Sequence, residues 1–205
     1  MVITITSAII LAGGKSLRLG REKALERING QILIERVINR VSSITAEVVI
    51  VTGEEKLNYI KTRKNNIQIV SDIFPGKAAL GAIYTGLIHI SGNIGIVVAC
   101  DMPFLNTDLL TYLVIKSTGY DAVIPKINHF IEPLHGIYAK TCIDTMKNLL
   151  DNNNLSVASL FKIVKTKFVH EEEINRIDPE HLSFFNINTE KDLLEANRIA
   201  AAIDI

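Results

Sequence analysis

Short apolar runs alternate with segments of helical periodicity along most of this chain. The first apolar run, residues 7–12, is continuous, which is typical of a strand that helices cover on both faces. Apolar residues then recur at positions 33, 34, 37, 38 and 41 and form one stripe of a helix. Because strands and helices alternate in this way, the pattern predicts a three-layer α/β/α fold around a mainly parallel sheet.

The same alternation continues to the end of the chain. Further strands are predicted at 48–51, 67–70, 96–100, 122–124, 136–138, 167–170 and 184–187. Further helices are predicted at about 54–64, 80–90 and 109–115, and from Asn188-Thr189 to about 202. Asn106 or Thr107 is the expected N-cap of the helix at 109–115. Residues 13–32 before the first helix are predicted to be a polar loop. No repeat and no long linker divides the 205 residues, so we expect a single domain over 1–205.

Charge and hydropathy limit the classes of partner. The 22 basic and 22 acidic residues give a formal net charge of zero, whereas a wide nucleic-acid or anionic-membrane surface needs a basic excess. No apolar stretch approaches the ~20 residues that span a bilayer, and the apolar N-terminus lacks the basic segment of a signal peptide. We therefore expect a cytoplasmic protein with no nucleic-acid or membrane partner. A small anionic ligand stays compatible with this balance because it needs only a local cluster of charge.

A glycine-rich, basic segment directly follows the first predicted strand. Gly13 and Gly14 let the main chain approach a ligand closely and turn its amides toward an anion. Four cationic residues follow, and together they could neutralise a triphosphate: Lys15, Arg18, Arg21 and Lys23. A Walker A loop does not fit, because its first glycine would fall on Ile9, and the spacing also fails for a dinucleotide G-x-G-x-x-G. The segment is therefore predicted to be another kind of phosphate-binding loop, and the structural alternative is a solvated basic turn.

Two aspartates also stand at the ends of predicted strands. Asp101 follows the apolar run 96–100, where a desolvated carboxylate needs a partner. Mg²⁺ is a natural partner, since it prefers one or two carboxylates together with phosphate oxygens and water. Asp72 follows the run 67–70 and is the weaker candidate, and the structural alternative is a turn residue before Pro75-Gly76. In parallel sheets ligands bind beyond the carboxyl ends of the strands, which is where both aspartates are expected.

These segments resemble a known family. The stretch LAGGKSLRLGREKAL from Leu11 is similar to the LAGGxSxRMGxxKAL signature of the molybdenum cofactor guanylyltransferases and their wider nucleotidyltransferase superfamily. Four later segments resemble the family in the same order: DIFPGKAALG from Asp72, DMP from Asp101, EPL from Glu132 and FNINT from Phe185. The resemblance thus extends over nearly the whole chain, and the closing pattern and compact length favour the guanylyltransferase branch.

The resemblance implies a Rossmann-like nucleotidyltransferase fold and an enzyme that transfers GMP from GTP to the phosphate of molybdopterin or Mo-molybdopterin. Pyrophosphate would leave, and Mg²⁺ would be the cofactor. By resemblance, the nucleotide would meet the main chain of Leu11, Ala12 and Gly13, the turn at Gly14, and the side chain of Asp72. Arg18 and Lys23 would hold the triphosphate, and Asp101 would bind the metal. The resemblance is also compatible with two kinds of protein partner, namely proteins that deliver the acceptor cofactor and molybdoenzymes that receive the product.

Several positions depart from the family pattern and leave alternatives open. Thr52-Gly53 stands where some relatives have an asparagine that touches the base, so the choice of base is less secure. Ala79 and Ala82 replace positions that are often Pro and Gly. One alternative is a cytidylyltransferase that acts on molybdopterin or on a sugar-alcohol phosphate. Another is a nucleotide-binding protein without catalytic activity. His135, within the segment EPLHGIY, is interpreted either as a residue of the acceptor pocket or as a structural histidine.

Overall fold

The structure, a computed structural model, describes residues 6–13, 23–57, 60 and 65–203. Its strands are β1 (Thr6–Leu11), β2 (Arg27–Ile28), β3 (Gln31–Ile32), β4 (Glu47–Thr52), β5 (Ile67–Ser71), β6 (Ile94–Ala99), β7 (Ala122–Ile127), β8 (Phe130–Ile131), β9 (His135–Ala139) and β10 (Thr166–His170). Its α-helices are α1 (Leu33–Ser42), α2 (Ala78–His89), α3 (Thr107–Lys116), α4 (Ile143–Asp151), α5 (Val157–Leu160), α6 (Glu171–Ile174) and α7 (Glu190–Ile203). Short 3₁₀ turns lie at Lys23–Leu25, Glu54–Lys56, Lys140–Cys142 and Leu182–Phe184.

One large sheet has the strand order β10-β7-β9-β6-β1-β4-β5, and β8 pairs with β7. β9 runs antiparallel to both of its neighbours, and β8 runs antiparallel to β7, whereas the other pairs are parallel. The prediction of a mainly parallel sheet is therefore confirmed. It follows from these directions that β1, β4, β5, β6, β7 and β10 all end at the same side of the sheet, which we call the carboxyl edge.

Helices cover both faces of this sheet, as the continuous apolar strands require. In β1, Ala8 and Ile10 pack into one apolar cluster with α1 and α3, while Ile9 and Leu11 pack into a second cluster with α2 and α4. Side chains alternate between the two faces of a strand, so a strand buried on both faces must be apolar throughout. The three-layer α/β/α architecture is thus confirmed, and the end of β1 is held rigidly between the two layers.

A third apolar cluster joins the start and the end of the chain. It consists of Ile28, Leu33, Phe104, Ile187, Leu193, Ala196 and Ala200. Ile28 belongs to the antiparallel β2–β3 hairpin, which lies within the region predicted to be a polar loop. Its turn is Asn29-Gly30, and both residues have positive φ, of 47° and 80°. Asn-Gly is the strongest short-range hairpin signal, so the sequence did contain the information that corrects this part of the loop prediction.

Two further predictions differ from the structure. The strand predicted at 184–187 is wrong, because this segment forms the end of a 3₁₀ turn and then an extended stretch outside the sheet. The backbone N–H of Ile187 donates to the carbonyl oxygen of Asp101 at 3.1 Å, and its side chain packs into the third cluster. Of the helix predicted at 54–64, only the 3₁₀ turn Glu54–Lys56 is observed, and 58–59 and 61–64 lie outside the described residues.

Among the residues that the structure describes, no helix combines the length and the apolar character needed to cross a bilayer. The longest of them, α7, has only 14 residues, whereas a spanning helix needs about 20.

Candidate active site

The carboxyl edge brings the ends of β1 and β6 side by side. The two strands are parallel neighbours, with Leu11 opposite Ala99. Just beyond this pair, the backbone N–H of Cys100 donates to the carbonyl oxygen of Leu11 at 3.0 Å. Gly13 and Asp101 therefore follow adjacent strands and lie at the same edge, as the sequence predicts.

An ion pair links the basic segment to the β6 end. Lys23 Nζ donates to Asp101 Oδ2 at 2.5 Å and to Asn188 Oδ1 at 2.9 Å. The side chains of Lys23 and Asp101 are only 15% and 19% exposed, so water screens this pair less than a surface pair. These three residues come from three distant parts of the sequence, and their meeting defines a compact polar centre.

The second carboxylate oxygen of Asp101 is the most informative atom of this centre. Oδ1 is buried and has no hydrogen-bond partner among the described residues. A buried anionic oxygen without a partner is costly, so this atom suits a cation that arrives with the substrate. The described residues contain no group of three or more His, Cys, Asp or Glu side chains that could hold a metal by themselves. Mg²⁺ at Asp101 would accordingly take further oxygens from phosphate and water, which is its usual preference.

The main-chain groups at the end of β1 differ in whether they are already hydrogen-bonded to described residues. The N–H of Ala12 donates to the carbonyl oxygen of Val51 at 2.8 Å, and the carbonyl oxygen of Ala12 accepts from the Thr52 hydroxyl at 3.3 Å. Gly13, by contrast, makes no main-chain hydrogen bond with any residue that the structure describes. A Cβ on Gly13 would meet its nearest atoms only at 3.9 Å, so packing does not demand glycine here. The Gly13 main chain is therefore the group of this strand end that can contact a ligand without breaking an internal hydrogen bond.

Two of the predicted site residues, Gly14 and Arg18, lie outside the described residues, as do Lys15 and Arg21. Their predicted contacts with the triphosphate remain predictions. Lys23 is thus the cation of the basic segment that the described part of the chain places in the polar centre.

Asp72 lies at the same edge but is held in a turn. Its Oδ1 accepts from the backbone N–H of Phe74 and from the Thr85 hydroxyl, both at 3.0 Å. No hydrogen bond joins Asp72 to Lys23 or Asp101. This geometry matches the turn interpretation of Asp72, and a contact between Asp72 and the nucleotide remains a prediction.

Asn188 is the site residue that sequence reasoning missed. The sequence places Asn188-Thr189 in the family-like FNINT segment and at the start of the last helix, but it assigns no site contact to Asn188. In the structure Thr189 alone forms the cap, because its Oγ1 accepts from the Asp192 N–H at 3.2 Å. The Asp192 carboxylate accepts in return from the N–H groups of Asn188 and Thr189 at 2.9 and 2.8 Å, and these bonds lower the pKa of Asp192. The reciprocal cap leaves the Asn188 side chain to reach Lys23.

His135 is a buried residue rather than a lining one. It is fully buried at the start of β9, and its ring centroid lies 4.7 Å from that of Phe184. Neither ring nitrogen has a hydrogen-bond partner among the described residues. Burial lowers the pKa of His135 from 6.5 to about 3, so the ring is neutral near pH 7. The structural interpretation of His135 is therefore the one that its surroundings support.

This burial makes a prediction about acid stability. In the unfolded chain His135 takes up a proton as the pH falls below 6.5, whereas the folded chain resists protonation until about pH 3. Stability contributed by His135 above pH 6.5 is consequently lost as the pH falls. Between pH 7 and pH 5, the free energy of unfolding of the wild type should fall by about 2 kcal/mol more than that of His135→Phe. Urea titrations of both proteins at the two pH values measure this, and parallel pH profiles would contradict the prediction.

Comparison with known proteins identifies the family of this chain. Residues 8–167 match the MobA-like NTP transferase domain. A central, mainly parallel sheet flanked by helices is the fold of a nucleotidyltransferase, and the chain belongs to the MobA-like NTP transferase family. It is accordingly an enzyme of the nucleotidyltransferase class.

Similar proteins match over almost their full length. A probable molybdenum cofactor guanylyltransferase from Natranaerobius thermophilus is 36% identical over 197 residues, which cover 94% of this chain and 95% of the relative. A protein of the same name from Pelotomaculum thermopropionicum is 33% identical over 194 residues, covering 95% and 93%. The crystal structure of molybdopterin-guanine dinucleotide biosynthesis protein A from Archaeoglobus fulgidus superposes with a TM-score of 0.84 at 28% identity, covering 96% of this chain and 100% of that one.

Proposed function

We propose that this enzyme transfers the GMP moiety of GTP to the phosphate of molybdopterin or its molybdenum-loaded form, giving the guanine dinucleotide and pyrophosphate. The observation that carries the proposal is the polar centre of Lys23, Asp101 and Asn188, which lies at the same edge as the main chain of Gly13. The names of the two relatives with 33% and 36% identity support the choice of donor and acceptor.

The reaction is an in-line displacement at phosphorus. An oxygen of the acceptor phosphate forms a bond to the α-phosphorus of GTP, and the bond from that phosphorus to the α–β bridging oxygen breaks. No covalent enzyme intermediate is needed, so catalysis depends on positioning and on charge stabilisation. Lys23, which Asp101 and Asn188 hold in place, would bind the phosphate chain and stabilise the negative charge of the departing pyrophosphate. Arg18, from the segment outside the described residues, is proposed to act with it.

The oxygens of Asp101 and Asn188 fit Mg²⁺. Asp101 supplies a carboxylate oxygen that has no hydrogen-bond partner among the described residues, and Asn188 supplies an amide oxygen that shares the Lys23 ammonium with Asp101. When bound, Mg²⁺ would polarise the phosphate oxygens that gain negative charge. Without Mg²⁺ and substrate, the Lys23 ammonium neutralises the charge of Asp101. Substrate phosphates would give Lys23 a second set of acceptors.

Guanine recognition is proposed to rest on the main chain at the β1 end. The N–H and carbonyl groups of Gly13 make no hydrogen bond with the described residues, and Asp72 lies at the same edge, two strands away. Thr52 is fully buried and bonded to Ala12, so it does not replace the asparagine that reads the base in some relatives. We therefore expect a preference for GTP, and not absolute selection.

Competition between nucleotides tests the proposed donor. With Mg²⁺ and molybdopterin present, GTP should support pyrophosphate release at least about tenfold more efficiently than CTP or ATP, since one lost hydrogen bond to a base edge costs about 1–3 kcal/mol. The measurement is kcat/KM for each nucleotide, with molybdopterin omitted as the control. A higher kcat/KM for CTP would assign the protein to the cytidylyltransferases. Binding of GTP without pyrophosphate release would indicate a nucleotide-binding protein without catalytic activity.

A further inference from the structure

The β7–β8 hairpin stands at the carboxyl edge, away from the end of β1. β7 runs in the same direction as β6, because both are antiparallel to β9, which lies between them. The hairpin turn that follows β7 therefore points to the same side as Asp101. It is also fixed in place, since the Asn128 N–H at the turn donates to Glu171 Oε2 on α6 at 3.0 Å.

Phe130 makes this hairpin unusual. Its side chain is 74% exposed, more than any other large hydrophobic side chain in the described part of the protein. It pairs across the hairpin with Ile127 and makes no ring contact with another aromatic residue that the structure describes. An exposed aromatic ring on a rigid turn beside a ligand-binding edge is a surface on which a flat ring can stack.

Glu132, two residues further on, is an unpaired carboxylate on the same side of the hairpin. Its backbone is fixed, because its N–H donates to Pro125 and its carbonyl accepts from His135, at 2.9 and 3.1 Å. Its side chain is half-buried, yet it makes no hydrogen bond or ion pair with any residue that the structure describes. Burial raises the pKa of Glu132, as expected for a desolvated carboxylate to which no neighbouring group donates a hydrogen bond. Residues two apart project to the same side of an extended chain, about 7 Å from each other.

We propose that Phe130 and Glu132 form the subsite for the pterin ring of the acceptor, with the ring stacked on Phe130 and its N–H edge bonded to Glu132. This inference rests on the proposed function and names the acceptor side of the same site. A pterin has a flat bicyclic ring, and its 2-amino group and adjacent ring N–H form a pair of parallel donors. A carboxylate accepts two such bonds at once, as it does from the fork of an arginine.

The position of the hairpin favours the acceptor over the nucleotide. β6 and β9 separate β7 from β1, whose end carries Gly13. The nucleotide is proposed to lie at the β1 end and the reacting phosphates at Asp101, at the end of β6. The acceptor must approach the α-phosphate from the side opposite the leaving pyrophosphate, and the hairpin offers a ring-binding surface at the same edge, beyond β6.

Steady-state kinetics with both substrates tests this subsite. Phe130→Ala and Glu132→Gln should each raise KM for molybdopterin about tenfold and leave KM for GTP within about twofold of the wild type. Phe130→Trp, which keeps the stacking surface, should restore the wild-type KM for molybdopterin. Ile115→Ala and Asp144→Asn are the matched controls, since both side chains are exposed on helices at the edge of the sheet opposite the carboxyl edge, and neither should change either KM.

Direct binding of 6-hydroxymethylpterin, followed by its own fluorescence, separates the subsite from the proposed reaction. Weaker pterin binding in both hairpin variants supports the subsite, even if the wild type fails to transfer GMP and the proposed function falls. Normal transfer with wild-type KM values in both variants overturns the subsite and leaves the proposed function intact. Absence of both transfer and pterin binding in the wild type overturns both.

Discussion

Asp101→Ala should lower the rate of GMP transfer about a thousandfold, which corresponds to about 4 kcal/mol of lost transition-state stabilisation. The reason is that Asp101 holds the buried carboxylate oxygen without a partner and is also the partner of Lys23. Single-turnover rates at saturating GTP and Mg²⁺ measure the loss. Asp144→Ala, which removes an exposed carboxylate on α4, is the control and should keep the wild-type rate.

The fold should tolerate this change. From the sequence alone, removing an unpaired buried charge could be expected to stabilise the protein, but the structure pairs Asp101 with Lys23. Removing the Asp101 carboxylate leaves the Lys23 ammonium bonded only to the neutral amide oxygen of Asn188 among these partners. The substitution is therefore not expected to stabilise the protein. A thermal melt that stays cooperative separates lost activity from lost folding. Near-normal transfer by a folded Asp101→Ala protein would refute the proposed metal ligand.

Lys23→Ala should lower kcat about a hundredfold and raise KM for GTP about tenfold. Lys23 is proposed to contact the phosphates in both the ground state and the transition state, so binding and catalysis should both suffer. Lys15→Ala, in the same basic segment but at a variable position of the signature, should have a milder effect. Titration of GTP against both variants gives the comparison, and a larger defect for Lys15→Ala would exchange the two roles.

The sequence was sufficient for the parts of the fold that long apolar patterns specify. Strands such as β1 and β4 and the stripe of α1 could be predicted because each repeats its pattern over six or more residues. The two-residue strands of the β2–β3 hairpin have no period, so only its turn residues, Asn29-Gly30, could have revealed it in the sequence. The segment 184–187 was predicted as a strand because its apolar side chains suit either a sheet or a third cluster, and only the tertiary contacts of Ile187 decide between them.

The site, too, has some features that the sequence predicts and others that only the structure shows. Gly13, Lys23 and Asp101 could be singled out because strand ends, glycine and charge are visible in the sequence. That Lys23 and Asp101 pair with each other is not visible, because residues 78 apart meet only through the order of the strands. Asn188 was missed for a related reason. Two adjacent residues could each cap the helix, and only the structure shows that Thr189 does so.

The third cluster and Asn188 also have a consequence for synthesis of the chain on the ribosome. β1, β4, β5 and β6 can pair once the chain has emerged beyond Ala99. Asn188 and its neighbour Ile187, which bonds to Asp101, follow all the described strands in the sequence. Until then Ile28, Leu33 and Phe104 lack the α7 side chains that cover them. The polar centre of Lys23, Asp101 and Asn188 is therefore completed only after every described strand of the sheet has been translated, so a nascent chain that stops before Ile187 would hold its sheet without this centre.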